Sequence, residues 1–320
     1  MTASCSHFGG VYYQGVNYLQ TPTVSLNSFT SMQSLGKIKD NGANTVALIV
    51  FLQQDDPTTT RIMPSSAVTD DQLKHAIADA HDLGLKVVLK PQVLVTNSWA
   101  GEINPGTHEA WHKWYGNYQR LILHYAEIAQ HYNVEVLMLG TELRHAAIQP
   151  QFRQLIIEVR KKYHGEISYA AHGVAGLKRF PYWDMLDSIS LTLYPPLGQD
   201  WDAARISQLI MDKVNEIESI VSTMDKRFWI AEIGISSERG SYRHPWLETN
   251  SQQDQPDAEM QAKVLELWLK NLQQPWVDGV LIWNWFSDVS MGGMTDTGFT
   301  IQNKIAEKVV SCYWTKKCND

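Results

Sequence analysis

The sequence predicts an α/β fold, a single (β/α)8 TIM barrel. Three observations carry that expectation. Short apolar runs alternate with amphipathic stretches along the whole chain, which is the signature of strand–helix units around a parallel sheet. Eight such runs are present in 320 residues, and this barrel typically takes about 250 residues before insertions. No break in composition, linker, repeat or low-complexity segment divides the chain, so residues 1–320 are expected to form one barrel domain.

The first strand spans 11–18 and ends Gln14-Gly-Val-Asn-Tyr18. A doubly wound open sheet, the rival fold, would normally place a glycine-rich phosphate turn there, and no Gly-x-Gly-x-x-Gly follows. A weakly patterned helix near 29–41 leads to the second strand, 44–52. Thr69-Asp-Asp-Gln72 is a capping box that opens a helix with Leu73, Ile77 and Ala80 on one face. Gly84 stops that helix, and the third strand covers 85–95. A helix over 108–132 carries Trp111, Trp114, Tyr118, Leu121, Ile122, Tyr125 and Ile128 at a 3.6-residue period. The fourth strand is 134–141. Phe152, Leu155, Ile156 and Val159 stripe the next helix, which Gly165 ends before the fifth strand, 166–171. A short helical stretch, 175–185, is interrupted by Pro181. After the sixth strand, 187–194, a helix presents Ile206, Ile210, Val214, Ile217 and Val221. The seventh strand is 228–233. The loop 236–257 is long and polar, which on a compact barrel points to function. A helix with Met260, Val264, Leu267 and Trp268, an eighth strand over 278–285 and a helix near 303–314 complete the chain.

A net charge of −7 argues against nucleic acid or an anionic membrane as partner. No window of 18 apolar residues exists to span a membrane. No basic stretch followed by an apolar one opens the chain. It reads as cytoplasmic as written, or as an exported protein with its signal removed, and as a monomer. Cys5, Cys312 and Cys318 lack metal-ligand spacing; Cys312 and Cys318 could pair, and free thiols are the expectation. His108 and His112 share a helix face without further ligands, so no metal is expected, and Gly-x-Ser-x-Gly is missing.

Chemistry concentrates in two segments, Val136-Leu-Met-Leu-Gly-Thr-Glu142 and Phe228-Trp-Ile-Ala-Glu232. Each is an apolar run into a single glutamate. A carboxyl group at the carboxyl end of a buried strand is costly, and that is the end where barrels hold their active sites. Strict alternation puts Met138, Gly140 and Glu142 on one face, and Ile230 with Glu232 on one face. Strands four and seven oppose each other across the mouth, so a sugar can lie between the two carboxyls, as a glycosidase requires. The plain alternative is a structural ion pair, for which Arg144 is at hand. Asp55, Asp56, Glu102, Asp200, Asp202 and Asp288 compete from polar loops; of these, Glu102 and Asp288 are candidates for sugar hydroxyls.

Around the pair, Lys90 interrupts an apolar strand and is suited to donate to a sugar hydroxyl or to pair with a carboxylate. His172 ends strand five. Tyr194 ends strand six, where its hydroxyl would keep the nucleophile ionised, or pack as core. Trp99, Trp201, Trp246, Trp283 and Trp285 fall at strand ends and in loops, where aromatic faces suit sugar rings. Trp283 and Trp285 are two apart and are expected to share a face, at least one of them flooring the site. Lys90, Trp99, His172, Tyr194, Trp283 and Trp285 are therefore the candidate substrate-binding residues.

Gly140-Thr-Glu142-Leu and Ala231-Glu232-Ile-Gly234 resemble the strand-four and strand-seven motifs of clan A retaining glycosidases. More closely, the chain is similar to the family 113 endo-β-1,4-mannanases. The matching segments are Leu89-Lys-Pro91, Ser98-Trp-Ala-Gly101, Tyr125-Ala-Glu-Ile-Ala129, Gly140-Thr-Glu-Leu143, Leu186-Asp-Ser-Ile189, Tyr194-Pro-Pro-Leu197, Ala231-Glu-Ile-Gly234 and Ile282-Trp-Asn-Trp285, over about 85–290. The resemblance implies Glu142 as acid/base, Glu232 as nucleophile, no cofactor, and retaining hydrolysis of mannan, glucomannan or manno-oligosaccharides. Most clan members carry asparagine before the acid/base; this chain has Thr141. The alternatives are a xylanase, glucanase or galactanase on the same scaffold, or a carbohydrate-binding protein without turnover.

Overall fold

The computed structural model describes residues 12–247 and 255–317. Eight parallel strands close into a ring: β1 (Tyr13–Leu19), β2 (Thr45–Gln54), β3 (Lys86–Val95), β4 (Val136–Thr141), β5 (Glu166–His172), β6 (Ser188–Leu193), β7 (Arg227–Ile233) and β8 (Gly279–Phe286). β1 bonds to both β2 and β8, which closes the barrel. The eight predicted strands are all present, with ends within two residues of expectation. Met63–Pro64 adds a two-residue antiparallel piece against Leu52 and Gln53.

Helices α1 (Phe29–Asp40), α2 (Asp70–Asp82), α3 (His108–His131), α4 (Pro150–Arg160), α5 (Gly173–Arg179), α6 (Ala203–Val221), α7 (Ala258–Asn271) and α8 (Ile305–Thr315) follow the strands in turn. The capping box of α2 forms: Thr69 N donates to Gln72 Oε1 at 2.8 Å, and Thr69 Oγ1 accepts from Gln72 N. Pro181 splits the predicted 175–185 helix into α5 and a 3-10 turn at Trp183–Met185. Among the described residues, no helix is long and apolar enough to cross a membrane. Cys312 on α8 is disulfide-bonded, which corrects the free-thiol expectation there; Cys5 and Cys318 lie outside the described residues.

Two apolar layers hold the fold. The outer one packs helices on strands. The inner one fills the ring with Tyr13, Ala47, Val88, Val136, Met138, Ala170, Trp229, Ala231 and Leu281. At the amino end of the ring, the Tyr13 hydroxyl donates to Glu166 at 2.7 Å, and Arg227 pairs with the same carboxylate.

The inner layer corrects the expected phase of β7. Trp229 and Ala231 face the ring interior, whereas Ile230 packs toward the helices. A bulge resets the alternation: Leu191 pairs with Ile230 and Thr192 with Glu232, so Ala231 has no partner of its own on β6. β4 slips likewise, Met138 pairing with Ser168 and Thr141 with Ala170. β8 slips as well, Asn17 pairing with Trp283 and Tyr18 with Trp285. All three irregularities sit at the carboxyl ends of their strands.

Gly140 lies inside the β4 irregularity with φ +152°. A Cβ there would meet Leu143 Cδ1 at 2.6 Å and Tyr118 Oη at 2.9 Å. Tyr118 is tied down by its bond to Leu139 O at 2.8 Å, so it has little room to give. Gly140→Ala is expected to cost about 1–3 kcal/mol of stability and to displace Glu142 two residues on. Thermal unfolding together with turnover checks this; an unchanged melting temperature would contradict it.

Candidate active site

Glu232 ends β7 with 6% of its surface exposed. Its Oε1 accepts from Lys90 Nζ and from Gln92 Nε2, the latter at 2.5 Å, while Oε2 accepts from the Tyr194 hydroxyl at 3.1 Å. Lys90, on β3, is completely buried and also donates to Asn17 Oδ1 at 2.9 Å. Asn17 Nδ2 in turn donates to Ala231 O at 3.1 Å, so β1, β3 and β7 are cross-linked through one polar cluster. Burial raises the Glu232 carboxyl above its usual range and depresses Lys90; each partner's charge opposes the effect on the other, and the Glu142 charge raises Glu232 further. Three donors on one carboxylate favour its ionised, acceptor-only form. Tyr194 faces both glutamates. Burial and their charges hold its hydroxyl well above the ordinary phenol value, so it stays a donor.

Glu142 follows the bulged end of β4 at φ +54°, a left-handed conformation uncommon for a residue with a side chain. Its Oε1 accepts from the Thr192 hydroxyl and pairs with His172 Nδ1 at 3.1 Å. Among the described residues, no donor reaches Oε2. The two carboxylates thus differ in kind: both oxygens of Glu232 are engaged by donors, whereas Glu142 is held by one oxygen.

His172 is raised above its ordinary value by its hydrogen bond to Glu142, against burial. A group raised on folding adds stability that is complete below its unfolded value and is lost as pH rises through its folded value. The stability difference between wild type and His172→Ala is therefore expected to be largest between the carboxylate and ordinary imidazole ranges, and to fade at higher pH. With the side chain 47% exposed, it stays under about 1 kcal/mol. Denaturant unfolding across pH checks this, and a difference that grows with pH would contradict the pairing.

Trp99 is half-buried, its ring folded over Gly101, where a Cβ would lie 2.0 Å from Cη2. The ring meets His172 at 4.7 Å between centroids, and the Arg144 guanidinium lies 5.5 Å away. Arg144 pairs with Glu102, not with Glu142. Trp283 is half-buried, with Lys90 Nζ 5.8 Å from its ring centroid. Lys90, Trp99, His172, Tyr194 and Trp283 therefore all reach the surroundings of the two glutamates.

Two expectations need correction. Trp285 has no exposed surface: it packs toward α1, with Nε1 on Ser34 Oγ at 2.8 Å. The extra residue Asn284 sends the two tryptophans to different surroundings. Lys90 is likewise inaccessible to a sugar, so of its two expected roles only the pairing with a carboxylate remains. The competing carboxylates have local partners or face solvent. Asp56 accepts from Thr58, Asp202 caps α6, Asp288 accepts from Ser290, and Asp55 and Asp200 are exposed. Trp201 lines a cavity of about 860 Å³ that also borders Tyr242, Arg243 and Asp257 of the 236–257 loop and neither of the two glutamates; Trp246 is half exposed. Among the described residues, no cluster of three or more His, Cys, Asp or Glu could hold a metal.

Asn17, Gln92 and Thr192 were not anticipated. Each is a polar residue near the carboxyl end of an otherwise apolar strand, the same pattern that drew attention to Lys90.

The family model for Glycoside Hydrolase Family 113 matches residues 19–304. Among solved structures, the chain is similar to a GH113 β-1,4-mannanase at 26% identity and TM-score 0.84, covering 96% of this chain and 100% of that one. It is also similar to the GH113 β-mannanase AaManA from Alicyclobacillus acidocaldarius at 25% identity and TM-score 0.85, covering 97% and 99%. A family 5 mannosidase from Rhizomucor miehei shares the fold at 11% identity and TM-score 0.67, covering 95% and 92%. No curated protein sequence matches the chain.

Proposed function

Because the chain belongs to glycoside hydrolase family 113, we propose that it is a retaining endo-β-1,4-mannanase with Glu232 as nucleophile and Glu142 as acid/base. Its substrates are mannan, glucomannan or manno-oligosaccharides. The observation that carries this reading is the chemical asymmetry of two carboxylates at the ends of β7 and β4. Glu232 is saturated with donors that favour its ionised form. Glu142 is anchored by Oε1 alone, and among the described residues no donor occupies Oε2. The solved neighbours at 25–26% identity are β-mannanases, which supports mannan over other β-glycans.

In the first step, a Glu232 oxygen attacks the anomeric carbon as Glu142 Oε2 protonates the leaving oxygen. The carbon–oxygen bond to the leaving sugar breaks, and a glycosyl ester forms on Glu232. In the second step, Glu142, now ionised, takes a proton from water, whose oxygen attacks the same carbon and frees Glu232. Two inversions leave the configuration unchanged. Lys90, Gln92 and Tyr194 orient the nucleophile, and Thr192 and His172 hold Glu142. Trp99 and Trp283 supply aromatic faces for sugar rings.

Reducing-end release from linear mannan, with xylan, glucan and galactan beside it, tests the substrate. The anomer formed first, read by proton NMR, tests retention. Release from mannan as the β anomer is expected. Cleavage of xylan, glucan or galactan in preference to mannan would move the substrate, and an α product would remove the double displacement. Tight oligosaccharide binding without turnover would make the protein a lectin-like binder.

A further inference from the structure

Lys304 and Gln261 are buried and polar, and the reaction gives them no role. The Lys304 side chain, just before α8, has no exposed surface. Its Nζ donates to Ser237 Oγ at 2.7 Å and to Gly298 O at 2.9 Å and pairs with Asp296 Oδ1 at 2.5 Å. All three ammonium hydrogens thus have acceptors. Ser237 Oγ accepts from Lys304 and donates to Asp296 O at 2.6 Å. Gln261, in the first turn of α7 and fully buried, donates Nε2 to Ile235 O at 2.9 Å and to Phe299 O at 3.1 Å.

These bonds fasten two active-site segments together. Ile235 and Ser237 lie just beyond Glu232, while Gly298 and Phe299 lie in the loop between β8 and α8. The Phe299 ring meets Tyr194 edge to face, with centroids 6.3 Å apart and planes at 87°. Its Cδ1 is 3.4 Å from where a Gly234 Cβ would stand. Tyr194 donates to Glu232 Oε2. A fully buried ammonium is costly even when paired, and an apolar side chain of similar volume often stabilises a fold as well. Packing alone therefore does not account for a lysine at 304.

We propose that Lys304 and Gln261 are positioning residues for the glycosidase reaction. They fix the Gly298–Phe299 backbone so that the Phe299 ring holds the Tyr194 hydroxyl on Glu232. This rests on Glu232 being the nucleophile. The ionisable groups facing that carboxyl are Lys90, Glu142 and Tyr194, and only the Tyr194 contact runs through the clamp. Releasing the clamp removes a donor that favours ionised Glu232, so the acidic limb of kcat/KM moves to higher pH. KM is expected to change less than kcat, because the Lys304 and Gln261 side chains are buried and present no surface to a sugar.

The test compares wild type, Lys304→Met, Gln261→Leu, Phe299→Leu, Tyr194→Phe and the double variant Lys304→Met/Tyr194→Phe, across pH on mannohexaose. Lys304→Met is expected to lower kcat by about tenfold, within the ~10²-fold cost of a 1 Å misplacement. It is also expected to shift the acidic limb upward and to add little to Tyr194→Phe. Gln261→Leu removes the bonds to Ile235 O and Phe299 O while leaving every buried charge paired, and is expected to give the same upward shift, as is Phe299→Leu, so it decides the matter if Lys304→Met does not fold. Folded variants whose acidic limb stays in place, or whose losses multiply with that of Tyr194→Phe, would overturn the proposal. Failure of wild type to cleave mannohexaose, or to be labelled at Glu232 by a fluorosugar, would instead count against the reading of the site.

Discussion

Glu232→Ala is expected to abolish mannan cleavage, lowering kcat by about 10⁴-fold or more, as loss of a nucleophile does elsewhere. The substitution removes the atom that bonds to the anomeric carbon. It also strands Lys90, whose buried ammonium keeps Asn17 and loses its counter-charge. Breaking a buried pair from one side costs about 3–5 kcal/mol, so the alanine variant should also melt early. Glu232→Gln separates the two effects, because it fills the same volume and offers an acceptor oxygen to Lys90. A glutamine variant that melts closer to wild type and remains inactive would assign the loss to chemistry. Wild type treated with a 2-deoxy-2-fluoro-mannosyl fluoride should carry one added sugar mass on the peptide containing Glu232. Activity of the folded glutamine variant within tenfold of wild type, or labelling on another peptide, would remove Glu232 from this role.

That the strands and both glutamates were legible has a physical basis. Strands buried on both faces are continuous apolar runs, and a carboxyl group at the end of such a run stands out. The phase of the side chains was not legible. Alternation predicts which residues share a face only while the ladder is regular, and β4, β7 and β8 each slip by a residue near the carboxyl end. One consequence was the pairing of Ile230 with Glu232, which the bulge at Ala231 breaks. Another was Trp285, which alternation puts beside Trp283 and the slip at Asn284 sends toward α1. A bulge carries no strong local signal unless a glycine marks it, and of these three only β4 has one, Gly140. The donors Asn17, Gln92 and Thr192 escaped for a different reason. Each looks locally like an ordinary polar residue at a strand mouth, and its partner lies on a strand many residues away.

Glu142→Ala is expected to separate the two halves of the reaction, and this is the sharper test of the acid/base assignment. Without a proton donor, polymeric mannan, with its poor leaving group, should be cleaved about 10²–10⁴-fold more slowly. An aryl mannoside whose phenol leaves without protonation should still form the glycosyl–enzyme on Glu232. Breakdown of that intermediate then becomes slow, because no base activates water. Azide needs no base, and removal of the side chain opens space beside Thr192 and His172 for it. Addition of azide should therefore restore turnover of the aryl substrate, with β-mannosyl azide as product, and should leave mannan cleavage unrescued, since the first step still lacks its acid. Thr192→Val and His172→Ala give the comparison: each loosens Oε1 while keeping the carboxyl, so each should slow both substrates without any response to azide. An α-mannosyl azide, or rescue of the polymer along with the aryl substrate, would place the acid/base on another residue.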